Sequence, residues 1–154
     1  MIKIAEVMST EVHTLNPDDT LSQARSLMMD KHIRHIPVID EDRKLVGLLT
    51  HRDLLAAADS ALSAEGEDQR SKRERSTPVS RVMTMQLNSV DENASLRGAA
   101  LHLQKYKHGC LPVLREGRLV GIITDSDYVG VAINLLEQLE QIDPLESDTV
   151  EMEL

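Results

Sequence analysis

Hydrophobic and polar positions along the chain fall into short blocks whose period changes in a fixed order, and that order occurs twice. An extended stretch, Val12 to Leu15, runs into the turn formers Asn16-Pro17-Asp18-Asp19; its counterpart, Leu87 to Val90, runs into Asp91-Glu92-Asn93. A hydroxyl residue, Thr20 or Ser95, then opens a helix with apolar positions at three- and four-residue spacing. These are Leu21, Ala24, Leu27 and Met28 in one block, and Leu96, Ala99, Ala100 and Leu103 in the other. Two β-rich runs follow, Ile36 to Ile39 and Leu45 to Leu49, joined by a polar turn; Leu111 to Leu114 and Leu119 to Ile123 repeat them. Each pair predicts a hairpin. A second helix is predicted from Thr50 or Thr124, the latter running through VGVAINLLEQLEQI toward Pro144. Each block therefore reads βαββα.

The repetition extends to residue identity. VMSTEVHTLNPDDTLSQA (7–24) overlays VMTMQLNSVDENASLRGA (82–99), and HIPVIDEDRKLVGLLTHRDLL (35–55) overlays CLPVLREGRLVGIITDSDYV (110–129) after one residue is lost in the turn. Pro37 matches Pro112, Gly47 matches Gly121, Thr50 matches Thr124 and Asp53 matches Asp127. The chain divides into a first unit at 1–59, a polar linker at 60–78, a second unit at 79–142 and an acidic tail at 143–154. The linker lacks apolar periodicity and reads as an exposed, solvated loop, in which Asp68 and Glu74 dilute the basic cluster Arg70, Lys72, Arg73 and Arg75. Thr77 and Pro78 start a short turn carrying Val79, Val82 and Met83, the counterpart of Ile4, Val7 and Met8.

With 154 residues, 41% of them hydrophobic, the chain can bury a core, and neither a membrane span nor an export signal is predicted. One cysteine, Cys110, can make no internal disulfide, which favours a reducing, cytoplasmic setting. The net charge of −9 is unevenly placed: no Lys or Arg follows Arg118, and residues 1–118 balance 17 acids with 17 bases. That field, with Tyr106 and Tyr128 as the only aromatic residues, argues against nucleic acid as a partner.

The most informative chemistry lies in GLLTHRD (47–53) and its echo GIITDSD (121–127), where a threonine ends a strand and an aspartate follows three residues later. An aspartate so placed can accept hydrogen bonds from the two hydroxyls of a ribose beside the free N–H groups of a helix start. Thr-x-x-Asp is also a capping box, which merely satisfies those N–H groups, and from the tetrad alone capping is the commoner use. His32, His35, His102, His108 and Cys110 match no common zinc spacing, so no metal site is predicted; Cys110 reads as a small core residue. No nucleophile–base–acid order or phosphate loop points to an enzyme.

Taken together, the IRHIPVIDEDRKLVGLLTHRD stretch, the preceding VMSTEVHTLNPDDTLSQA and their second copies resemble the CBS domain family. The resemblance implies an α+β fold of two βαββα units packed with pseudo-two-fold symmetry. It further implies a regulatory module that binds an adenosine effector (AMP, ADP, ATP or S-adenosylmethionine) between the units, with no obligatory cofactor. Carried over position by position, the ribose contacts fall on Asp53 and Asp127, with Thr50 and Thr124 beside them. His35 and Ile36, or Cys110 and Leu111, lie against the base. Thr10, Val12 and Thr14, or Met85, Leu87 and Ser89, form the opposite wall. Where the family often places a glycine before the hairpin, the first copy has His32 and the second has Gly109 nearby.

The residues also suggest an asymmetry. Arg34, His35, His51 and Arg52 surround the first motif, whereas Gly109, Cys110, Asp125 and Ser126 stand at the matching positions of the second. The Thr50/Asp53 cleft is therefore expected to prefer phosphorylated ligands, and the Thr124/Asp127 cleft to be vacant or take a less anionic one. The resemblance further implies a homodimer, helped by the apolar stripe of Val129 to Leu139, and signalling to an unidentified regulated protein. The alternative is a scaffold of the same fold in which both Thr-x-x-Asp elements only cap helices.

Overall fold

The computed structural model describes residues 1–60 and 66–142. The predicted tail at 143–154 and linker residues 61–65 lie outside them. The first repeat contains α1 (Leu21–Lys31), β1 (His35–Ile39), β2 (Leu45–Thr50) and α2 (His51–Ser60). An additional helix, α3 (Glu67–Ser76), leads to the second repeat, with β3 (Val90–Asp91), α4 (Leu96–Tyr106), β4 (Cys110–Arg115), β5 (Arg118–Thr124) and α5 (Asp125–Ile142).

Local chemistry fixes these elements in the same way in both copies. Thr20 caps α1 through a full box: its hydroxyl oxygen accepts from the Gln23 N–H at 3.2 Å while Gln23 Oε1 accepts from the Thr20 N–H at 2.8 Å. The Ser95 hydroxyl oxygen accepts from the Gly98 N–H at 2.9 Å to start α4. Both helices end on a left-handed residue, His32 (φ 54°) and Lys107 (φ 55°), each closing onto the last turn. The hairpins pair antiparallel with a bulge at matching positions, Val38/Ile39 and Val113/Leu114. A parallel partner adds to each, β3 against β4 and, in the first repeat, the single residue Leu15 against Val38. The longer extended stretches expected at 12–15 and 87–90 thus pair only at their ends, and Val12 lines a cavity instead.

The turns that precede the repeats are exchanged. Ile4, fully buried, belongs to the core of the second repeat with Leu96, Leu111, Val113 and Ile123, and Val7 and Met8 pack against it. Val79, equally buried, belongs to the first core with Leu21, Met28, Ile36, Val38 and Leu49, joined by Val82 and Met83. Burying one such side chain stabilises by about 1.5–3 kcal/mol, so each repeat draws part of its core from the other's leading turn. The backbone follows suit. Ser9 exchanges two 3.0 Å hydrogen bonds with Ile122, and Thr84 exchanges bonds of 3.0 and 2.8 Å with Leu48. These crossings lie on glycines of the receiving strands: an added Cβ at Gly121 would overlap Met8, and one at Gly47 would overlap Met83. At the far end the hairpins meet again, where the Leu119 N–H donates to the Arg43 carbonyl at 2.9 Å.

The solvated loop expected over 60–78 is, at 67–76, the helix α3. It has Glu67 and Asp68 in its first turn and Arg73 and Arg75 in its last, the charge order that complements a helix dipole. Tertiary contact completes it. Glu74 is buried and accepts two hydrogen bonds from Arg25 of α1, at 2.9 and 2.7 Å, while the Thr77 hydroxyl donates to the Arg73 carbonyl at 2.7 Å.

Candidate functional site

Each Thr-x-x-Asp element lies where the outer hairpin strand passes into its following helix, so the strand register fixes its position. The Thr50 N–H donates to Asp53 Oδ2 at 2.8 Å and the Asp53 N–H donates to Thr50 Oγ1 at 3.1 Å, a reciprocal cap. In the second copy the Thr124 N–H donates to Asp127 Oδ2 at 2.8 Å, and the Thr124 hydroxyl lies 3.4 Å from the same oxygen. One carboxylate oxygen is thereby spent on the main chain in both copies. Asp53 is also approached by Thr84 of the opposite repeat, whose hydroxyl stands 3.5 Å from both carboxylate oxygens. Capping and ligand binding do not compete for the same atom at Asp127, where Oδ1 retains its acceptor capacity.

A cavity of about 480 Å³ opens on the Thr124 side. Its walls come from both repeats: Ser9, Glu11, Val12, His13 and the loop His32 to His35 from the first, and Gly109, Ile122 and Thr124 to Ser126 from the second. The exchange of the leading turns causes this pairing, because the bridge between Ser9 and Ile122 lays the first segment against the second motif. Two further cavities lie against the helices. One of about 330 Å³ is bounded by α1 and α2 and includes His51, Arg34 and Arg25; one of about 390 Å³ is lined by α4 residues with Asp125 and Tyr128.

Of the residues singled out in the sequence, Val12, His35 and Thr124 line the largest of these cavities, and Asp127 is tied to Thr124. Ile36, Cys110 and Leu111 are buried in the strands, so their side chains are core and only their backbone is at issue. His51 lines the α1/α2 cavity. Thr50, Asp53, Arg52, Thr14 and Ser89 line none of the three. The sequence neighbours assigned to the first cleft are redistributed by folding, since Arg34 and His35 line the cavity that contains Thr124 and Asp125. Glu11 and His13, not singled out from sequence, line it as well.

His35 stands between the repeats. Its ring lies 3.3 Å from the position a side chain at Gly109 would take. Burial lowers its pKa below the ordinary histidine value; the Asp125 carboxylate opposes this, Arg34 adds to the lowering and Asp53 opposes it. The ring is therefore neutral at pH 7. Burial, with a smaller contribution from Asp125, pushes the Cys110 thiol up to about 12, so it carries no thiolate chemistry. Among the described residues, no three His, Cys, Asp or Glu side chains gather to hold a metal ion, and no helix is long and apolar enough to cross a membrane.

Two repeats that share their cores by exchanging leading turns, with a cavity walled by both, define a tandem-repeat α+β module. The CBS domain family model matches residues 4–60 and again 79–134, and the chain belongs to the CBS domain family. A CBS domain-containing protein of Dictyostelium discoideum is 33% identical over 137 residues, covering 88% of this chain and 94% of its own length. Among solved structures, a putative acetoin utilization protein, AcuB, from Vibrio cholerae is 44% identical with a TM-score of 0.78, over 92% of this chain and 97% of that one. CBSX2, solved in complex with AMP, is 26% identical with a TM-score of 0.74, over 88% and 99% of the two chains.

Proposed function

We propose that the protein is a regulatory sensor of adenosine ligands, which binds its effector in the cavity between the repeats and passes the change to a partner protein. The observation that carries this reading is the cavity on the Thr124 side. Its volume suits a small ligand, both repeats wall it, and the Thr124/Asp127 element at its edge keeps one carboxylate oxygen for a ribose. The AMP complex of CBSX2 supports the ligand class. Arg34 shares the lining with the acids Glu11 and Asp125, and burial favours the neutral His35 ring, so the site holds little net positive charge for phosphates. The affinity order is therefore AMP above ADP above ATP, the preference for a less anionic ligand that the sequence suggests for the Thr124/Asp127 cleft. A ligand walled by both halves can shift their relative arrangement by its differential affinity, which is how occupancy reaches a partner. Dimerisation through the exposed helices belongs to the same reading, as does a cytoplasmic setting.

A scaffold without a ligand is the second reading, favoured by the capping bonds that both aspartates make. Titration calorimetry with AMP, ADP, ATP and S-adenosylmethionine separates the two. Asp127→Asn keeps an oxygen to cap Thr124 but loses the charge, and is expected to weaken AMP binding by about tenfold or more. Asp53→Asn is expected to leave it within about twofold on the same scale. Loss of binding in Asp53→Asn alone overturns the choice of cleft, and absence of heat with all four compounds leaves the scaffold.

A further inference from the structure

Half of the chain's six histidines meet in one place. His13, His32 and His35 all line the cavity between the repeats, His13 on the segment after the first leading turn and the other two on the loop between α1 and β1. Repetition does not account for this gathering. The matching positions of the second repeat hold Asn88, Lys107 and Cys110, so the three histidines belong to one copy alone. Nor does core packing account for it, since His13 and His32 are exposed and His35 is half-buried.

The permanent charges beside them nearly cancel. Arg34 shares the lining with Glu11 and Asp125, which leaves a formal charge of minus one while the histidines are neutral and plus two when all three are protonated. Histidine is the side chain whose charge changes between about pH 5 and 8. His32 also borders the α1/α2 cavity, whose lining includes Arg25, Arg34 and His51, and Arg25 is held by Glu74. Burial lowers the pKa of His35, Asp125 opposes this, Arg34 adds to it and Asp53 opposes it, so this ring charges below the ordinary histidine value. Asp127, at the cavity's edge, is tied to the Thr124 N–H.

We propose that protonation of this histidine cluster sets how many phosphates the cavity prefers: with neutral rings it takes a nucleoside monophosphate, and with protonated rings a di- or triphosphate. The proposal rests on the adenosine-sensor reading and gives that sensor a second input, because acidification changes which nucleotide the same protein reports. The physical cause is desolvation. Each further phosphate brings charge that needs partners once it leaves water, and imidazolium N–H groups are charge-assisted donors where neutral rings are not.

Titration calorimetry of AMP and ATP at about pH 7.5 and 5.5, without divalent cations and with the fold checked by circular dichroism, tests the proposal. Each nucleotide gains about one proton on its terminal phosphate over that range, so the ratio of the two affinities cancels most of the ligand's own titration. In the parent, the ratio of ATP to AMP affinity is expected to rise at least about tenfold on acidification. In a protein carrying His13→Asn, His32→Asn and His35→Asn together it is expected to hold within about twofold. Asparagine tolerates the left-handed backbone of His32 and is the second repeat's own residue at the place of His13. NMR titration of the parent needs no variant to fold: ATP is expected to raise the midpoints of the three rings and to leave that of His102, on α4 outside the cavity lining, in place. An unchanged ratio in the parent, or unmoved midpoints, overturns the proton control and leaves the sensor. An equal rise in the triple variant overturns the assignment to these histidines, and binding of neither nucleotide at either pH overturns the sensor reading together with the proposal.

Discussion

Replacing Gly47 by alanine probes the point where the second repeat's leading turn crosses the first hairpin. Gly47 has no left-handed backbone, so conformational entropy by itself favours alanine in this strand by about 0.5–1 kcal/mol. The added Cβ, however, would stand 2.8 Å from Met83 Cγ and 3.1 Å from Cε, with Sδ closer still, where carbon contacts prefer about 3.5–4.0 Å. Overpacking of this kind costs about 1–3 kcal/mol, which leaves Gly47→Ala destabilised by a net of about 0.5–2 kcal/mol. Met83→Ala alone removes a half-buried thioether from the first core, at a cost of about 1–2.5 kcal/mol, below the range for a fully buried methionine. In the double variant the new methyl occupies the vacated space, and the two changes offset one another by at least about 1 kcal/mol. Urea unfolding of the four proteins at one pH, with equal slopes, gives the coupling directly. Additivity within about 0.5 kcal/mol, or a Gly47→Ala protein more stable than its parent, would refute the crossing as the cause. Gly121→Ala supplies an internal contrast. There the Cβ also meets the Ser9 carbonyl oxygen at 3.0 Å, which is backbone held in the bridge to Ile122, so Met8→Ala rescues it only in part.

Glu74→Ala leaves Arg25 of α1 without its partner on α3 and is expected to destabilise by about 1–3 kcal/mol in urea unfolding. This is less than the loss of a fully buried pair, because the Arg25 side chain keeps 26% of its surface in water. An effect below about 0.5 kcal/mol would place α3 among dispensable surface helices. The depressed pKa of His35 fixes the sign of a pH effect: the stability attached to its neutral ring is present above the ordinary 6.5 and is lost as the pH falls through the folded value. Stability is therefore expected to drop on acidification from pH 7, with a smaller drop in His35→Asn and an NMR titration midpoint for His35 below 6.5. A midpoint above that value would mean that attraction by Asp125 and Asp53 outweighs burial.

The duplicated βαββα order was legible because the side-chain periods, the hydroxyl caps Thr20 and Ser95 and the matched prolines are local signals. The helix α3 was not. Its sequence, EDQRSKRERS, presents no apolar stripe, and its docking depends on Arg25, far away in the chain; the acidic start and basic finish were the available hints. Nor does any local signal distinguish a turn that packs on its own repeat from one that packs on its neighbour, since Ile4 and Val79 would plug either core equally well. That ambiguity carried over to the site. Arg34 and His35 stand close in sequence to Thr50, yet they line the cavity of Thr124, and Glu11 and His13 reach it only because Ser9 pairs with Ile122. The Thr-x-x-Asp motif was read as either a cap or a ligand clamp; the hydrogen bonds show the cap in both copies, with an acceptor left at Asp127.

The reciprocal lodging of Ile4 and Val79 means that the unit of duplication is not a unit that closes on itself. Severing the polypeptide ahead of α3 yields two fragments, each carrying the other's stopper and missing its own, so they reach native order by reassociating. A lone ancestral copy built on this plan has an empty socket and a spare plug, and closes by lending the plug to a twin. Joining two copies in one chain makes that loan permanent.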